Sequence, residues 1–193
     1  MAIPSSKANH TIKVIEPLLP SVRKRLLEYA RQTLKAVAEG REPGKPPSGG
    51  VLDEPAAVFV TLRRGEVLRG CLGQTHASGA LGEVVREMTR DAATQDPRFP
   101  PVSPEEVVDL QIEISRLSTP VKADSDGIVI GRHGVIVRRG HQVGLLLPQV
   151  ATEIGCDATE FLALACRKAG LPPAAWREPD VSINVFEAEV FGG

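Results

Sequence analysis

The chain has 193 residues, 42% of them hydrophobic and 24% charged, which allows one ordinary domain or a main domain with a smaller companion, either able to bury a real core. Lys+Arg 23 against Asp+Glu 24 gives a net charge of -1, so nucleic acid and anionic membrane, which need a basic surface to displace counterions, are not expected partners. No apolar run reaches the ~20 residues that span a bilayer, and the first residues lack the apolar stretch of a secretory signal, so a cytoplasmic protein is expected.

Residues 1–20 contain Pro17 and Pro20 and little periodicity, which predicts an extended N-terminal arm ahead of a domain over 21–193. Val22, Leu26, Tyr29, Ala30, Thr33, Leu34 and Val37 recur at helical spacing, with Ser21 placed to cap a first helix and Gly40 to end it. The proline- and glycine-rich residues 40–50 are expected to form a flexible surface loop. Residues 57–62 and 67–72 are aliphatic and β-branched around a short connection, the signature of a β-hairpin. With a two-residue turn at Arg64-Gly65, Phe59 would face Gly70 and Val58 would face Cys71, so that a ring covers a glycine.

Leu81, Val84, Val85, Met88 and Ala92 form the stripe of a second helix, entered through Ser78-Gly79 and stopped at Asp96-Pro97. Ser103-Pro104-Glu105-Glu106 carries the signature of one short helical turn. In the strand that follows, Leu110, Ile112 and Ile114 face one way and Gln111, Glu113 and Ser115 the other. A second hairpin joins 134–138 to 143–147 around Arg139-Gly140-His141, and Pro148 ends it. A third helix runs from Asp157-Ala158-Thr159-Glu160 to Gly170, with Cys166 on its apolar face. Finally Val181, Ile183 and Val185 alternate, and the phase then changes to Phe186, Ala188 and Val190, which predicts a bulge near Val185. Hairpins dominate this pattern. The expected fold class is α/β in the α+β sense: a mostly antiparallel or mixed sheet flanked by helices, not a doubly wound nucleotide fold.

The chemistry concentrates in Arg69-Gly70-Cys71-Leu72-Gly73. Side chains alternate along a strand, so Arg69 and Cys71 share a face, and a permanent positive charge beside a thiol favours the thiolate. Gly70 and Gly73 bracket the thiol without side chains, so a substrate can approach closely and backbone N–H groups can face an oxyanion or phosphate. The same residues also fit a buried structural thiol beside glycines that accommodate Phe59 and a tight exit turn. A nucleophilic cysteine needs a base, and His76 is the histidine nearest in sequence. Arg98 sits in a proline-rich turn, where a carboxylate such as Glu113 would pin it or line a cleft with it. The cysteines Cys71, Cys156 and Cys166 form neither a disulfide framework nor a metal knuckle, and no Walker loop or dinucleotide fingerprint occurs.

Four segments occur in the order typical of one family: Leu68-Arg69-Gly70-Cys71-Leu72-Gly73, Asp96-Pro97-Arg98-Phe99-Pro100-Pro101, Gly131-Arg132-His133-Gly134-Val135 and Leu147-Pro148-Gln149-Val150-Ala151. On these motifs the chain resembles the AMMECR domain family over about residues 22–191. The resemblance implies a main domain with a smaller subdomain and an Arg-Gly-Cys segment lining a cleft, and it carries no established reaction. It further implies a shared pathway with a radical S-adenosylmethionine enzyme and a Memo-like protein. His133, in the family's Gly-x-His-Gly motif, becomes the better partner for Cys71, against the alternative of a turn histidine bonded to backbone. Leu72 stands where isoleucine is usual and Cys156 where tryptophan is usual, which makes Cys156 a packing residue. Two functions follow as expectations: an enzyme or enzyme partner using Cys71, Arg69 and His133 at a cleft with Gly70, Gly73, Arg98 and Glu113, or a non-catalytic module binding an anion or a partner peptide there.

Overall fold

The structure, a computed structural model, describes residues 14–193. Most of the expected N-terminal arm lies outside them. In chain order the elements are α1 (Pro20–Ala38), β1 (Pro55–Arg64), β2 (Val67–Gly73), β3 (Gly79–Ala80), α2 (Leu81–Thr94), β4 (Gln111–Leu117), β5 (Val121–Lys122), β6 (Gly134–Arg139), β7 (Gln142–Leu146), α3 (Pro148–Ile154), α4 (Ala158–Lys168), β8 (Ser182–Phe186) and β9 (Ala188–Gly192). The chain divides into two compact units, one holding Ile15–Thr119 and Glu189–Gly193, the other Pro120–Ala188. The fold is α+β with two antiparallel sheets.

The first unit carries a sheet in the order β2-β1-β4-β9, with β3 paired to β1. Val58, Val60 and Leu62 of β1 and Ile112 and Ile114 of β4 point to one face, where they pack with Leu26, Ala30 and Leu34 of α1 and Leu81, Val84, Val85 and Met88 of α2. Period-2 and period-3.6 stripes meet there in one core, as their spacing requires. Several local expectations are corrected. Pro20 rather than Ser21 opens α1, taking the first helical position where its missing N–H is no loss. Residues 40–50 are not free: Tyr29 donates its hydroxyl to the Gly44 carbonyl at 2.6 Å, Arg25 reaches the Ser48 carbonyl, and Gly82 of α2 admits the Pro47 carbonyl where a methyl would collide with it. The first hairpin turns at Gly65-Glu66, with Gly65 at φ 56°, and its register shifts between Leu62 and Arg63. Phe59 therefore faces Gly73, and Thr61 faces Cys71.

The second unit holds a sheet in the order β5-β8-β6-β7. Val135 and Val137 of β6 and Ile183 and Val185 of β8 pack with Phe161, Leu162, Ala165 and Cys166 of α4. Asp157 and Glu160 form a complete capping box at the start of α4. Pro148 does not simply end a strand: it opens α3, which closes at Gly155 in the left-handed conformation. The phase change after Val185 is not a bulge. It is the break between β8 and β9, which belong to different sheets.

Candidate functional site

β2 is an edge strand, so alternate backbone groups along it have no partner strand. At Cys71 both are satisfied by one side-chain pair: its N–H donates to Asp96 Oδ2 at 2.8 Å, and its carbonyl accepts from Arg98 Nη2 at 3.3 Å. Asp96 in turn accepts from Arg98 through Nε at 2.9 Å, Nη2 at 2.7 Å and the backbone N–H at 3.1 Å. The Asp96 side chain is almost completely buried, and this set of donors, Arg98 foremost, holds its carboxyl far below the usual carboxylate range. The partner of Arg98 is thus Asp96, not Glu113. The sequence signal was present in the spacing Asp96-Pro97-Arg98, where a carboxylate two residues before an arginine shares one tight turn with it.

With its backbone groups turned outward, Cys71 forms a non-hydrogen-bonded pair with Thr61, the closer type of cross-strand pair. Thr61 Oγ1 donates to Cys71 Sγ at 3.4 Å. Thr61 also faces Glu113 on β4, so thiol, hydroxyl and carboxylate stand in one row across β2, β1 and β4. The next row holds Gly73, Phe59 and Ser115, on the sheet face opposite the helical core. Sequence reasoning missed Thr61, since only the observed register puts it between the other two.

The glycines act through packing. A methyl at Gly70 would strike the Ala92 carbonyl of α2, and one at Gly73 would strike the Phe59 ring. The expected ring-over-glycine contact exists, shifted from Gly70 to Gly73 by the register. Arg69 is not the cation bonded to the Cys71 segment. Its guanidinium is taken by Glu106, through Nε at 2.9 Å and Nη2 at 3.0 Å, and rests 5.9 Å from the Phe99 ring centroid. Arg69 lowers the Glu106 carboxyl from 4.5 to about 2, with help from the Ser103 N–H. The guanidinium bonded to the Cys71 segment is that of Arg98, which reaches the backbone carbonyl and keeps 54% of its side-chain surface exposed.

His133 lies in the other compact unit. Its ring is buried, and Nδ1 accepts the Val129 N–H at 3.1 Å, the geometry of a turn histidine bonded to backbone. Burial, reinforced by Arg132, pushes its pKa below the ordinary 6.5. His76 is exposed in the 74–78 loop. Cys166 is fully buried in the α4 core and Cys156 is half-buried, and burial pushes both thiols up. Among the described residues no group of three or more histidine, cysteine or acidic side chains is placed to hold a metal ion, and no helix is long and apolar enough to cross a membrane.

These features define a class: a two-sheet α+β protein with a half-buried cysteine on a clamped edge strand. The family model AMMECR1 matches residues 27–191, and the chain belongs to that family. A protein of Methanopyrus kandleri is 45% identical over 191 residues, covering 94% of this chain and 89% of its own. A relative from Thermococcus gammatolerans is 42% identical over 187 residues, covering 91% and 88%. The crystal structure of an uncharacterized protein from Pyrococcus horikoshii superposes with a TM-score of 0.82 at 39% identity, covering 86% of this chain and 89% of that one.

Proposed function

We propose that this protein is a thiol-dependent enzyme, or the thiol-bearing partner of one, in which Cys71 attacks or carries a substrate group. The observation that carries this reading is the treatment of Cys71: its N–H and carbonyl are held by Asp96 and Arg98, while the residue is only half-buried and its sulfur accepts from the Thr61 hydroxyl. The Thr61 hydroxyl is a donor positioned on the sulfur, and the Asp96–Arg98 pair fixes the backbone that carries it. Arg98, not Arg69, serves the Cys71 segment, and Thr61 and Glu113 supply the polar row expected of a histidine. The family resemblance adds a radical S-adenosylmethionine enzyme and a Memo-like protein as pathway partners, which co-elution of the three purified proteins would test.

Alkylation of the native protein with iodoacetamide, read thiol by thiol, is the direct experiment. Cys71 should label first, ahead of Cys156 and Cys166, and Thr61→Val should slow it severalfold. A Cys71 that stays inert until the chain unfolds sinks the proposal. The second reading, a non-catalytic module for an anion or partner peptide, has the exposed outer edge of Arg98 in its favour. Under it, sulfate or phosphate protects the native state by mass action and Cys71→Ser retains that protection.

A further inference from the structure

The sheet face that carries the Cys71 sulfur continues past Thr61 to groups that the Asp96–Arg98 clamp does not use. Thr61 pairs with Glu113 on β4. Ile112 and Gly193 exchange backbone hydrogen bonds at 3.2 and 3.1 Å, which sets Gly192 of β9 opposite Glu113. The row therefore reads thiol, hydroxyl, carboxylate, glycine, all within one compact unit. Glu113 is half-buried, and Gly192 sets no side chain against its outer flank. Asp96, Glu106 and Glu189 of the same unit each hold an arginine. Glu113 holds none: among the described residues no cation lies within ion-pair distance of it and no donor bonds its carboxylate. Arg63, two residues beyond Thr61 on β1, gives its guanidinium to the Glu66 carbonyl at 3.4 Å instead. Ser115, the next residue of β4 on this face, is fully buried, and its hydroxyl has no partner among the described residues.

A hydrated carboxylate on an open surface calls for no ligand. Glu113 differs in being partly desolvated, next to a buried hydroxyl without a partner, and one strand beyond the hydroxyl that bonds the thiol. Buried polar groups need partners, and what this stretch lacks is a donor with positive charge. A primary ammonium supplies both, with three N–H donors and a charge opposite to that of Glu113; an anion would be repelled there, and a neutral hydroxyl would leave the carboxylate charge unpaired. Resting on the reading of Cys71 as the reactive thiol, we infer that its substrate carries a protonated primary amine, held by Glu113 with Ser115 as a second acceptor. Cys71 and Glu113 are two strands apart, roughly 10 Å between their Cα atoms, so a short alkyl chain separates the reacting atom from the ammonium. The Phe59 ring, which covers Gly73 beside the thiol, gives that chain an apolar border. Glu113 then decides which substrates reach the sulfur, while Thr61 and the clamp position the sulfur itself.

The probes are methanethiosulfonates with different tails, applied to the full chain and read thiol by thiol by mass spectrometry. The thiolate displaces methanesulfinate and keeps the tail as a mixed disulfide, so each reagent places its own charge beside Cys71. Aminoethyl, trimethylammonioethyl, methyl and sulfonatoethyl reagents are compared, each rate divided by that of the same reagent with 2-mercaptoethanol. The aminoethyl reagent should outpace the methyl one about tenfold, and the sulfonatoethyl reagent should lag behind both. Glu113→Gln, an isosteric change, should bring the aminoethyl rate down to the methyl rate, and Ser115→Ala should lower the aminoethyl rate severalfold. Equal rates for all tails on the wild type, or a cation preference that survives Glu113→Gln, overturns the inference and leaves the reactive thiol standing. An aminoethyl rate no higher than the trimethylammonioethyl rate overturns the primary amine, since charge without N–H donors would then suffice. A Cys71 that reacts with none of the reagents sinks the thiol reading, and the inference falls with it.

Discussion

The Cys71 segment and the 129–134 turn each set an arginine and a carboxylate beside a residue that the sequence marks as chemical, and they use the pair in opposite ways. At Cys71 the pair is Asp96 and Arg98, it binds the backbone, and the residue stays half-buried, with its sulfur bonded to no backbone group. At His133 the pair is Arg132 and Glu187, joined at 2.6 Å, and the ring itself turns inward to accept the Val129 N–H. Backbone polar groups must find partners wherever water cannot reach. Where other side chains supply those partners, the marked side chain need not; where it supplies them itself, as His133 does, it becomes part of the scaffold.

The strongest test of this contrast is Asp96→Ala. It strips the Cys71 N–H and the Arg98 guanidinium of their shared acceptor, and a buried acceptor of charged donors is worth about 2–3 kcal/mol. Urea unfolding should show that loss, together with altered Cys71 labelling; a variant as stable as wild type would mean the clamp holds nothing. Gly70→Ala comes next, since its methyl must push α2 off the edge strand, an overpacking of about 2 kcal/mol in the same assay. If it is tolerated, β2 is not pinned from the helix side.

His133→Gln sharpens the other half of the comparison through pH. Burial lowers the folded pKa of His133 below 6.5, so the unfolded chain takes up the proton first. The stability this group contributes is present above pH 6.5 and is lost as the pH falls below it through the folded value. Glutamine can still accept the Val129 N–H, so the variant should flatten that slope while changing little at neutral pH. A slope that survives the substitution would remove His133 as its source. The smallest effect belongs to Ser115→Ala: its hydroxyl is buried with no hydrogen-bond partner among the described residues, so the change should be neutral or stabilising by under about 1 kcal/mol. A clear loss of stability would reveal a partner for Ser115 in the row beside Cys71.

Much of the architecture is legible residue by residue. The stripes Leu26-Ala30-Leu34 and Leu81-Val84-Val85-Met88, the alternation around Ile112 and the Asp157/Glu160 cap each encode their own element, because periodicity and capping are local. What failed depended on pairing. A hairpin turn placed one residue too early and an unseen register shift misassigned the partners of Phe59 and Cys71. The helix α3 was hidden behind Pro148, whose role at a first helical position resembles a stop. The break between β8 and β9 was mistaken for a bulge, since a phase change looks the same whether a strand kinks or moves to another sheet.

By itself, the sequence determined the family motif at 69–73 and that the chain alternates hairpins and helices around a mostly antiparallel or mixed sheet. Only the tertiary structure decided which arginine holds the Cys71 backbone. Strand alternation nominated Arg69, but Glu106, 37 residues away in the chain, captures that side chain, and the edge position of β2 brings Asp96 and Arg98 to the backbone of Cys71 instead. Local rules fix the direction in which a side chain leaves the backbone; which charge waits there is set by long-range pairing.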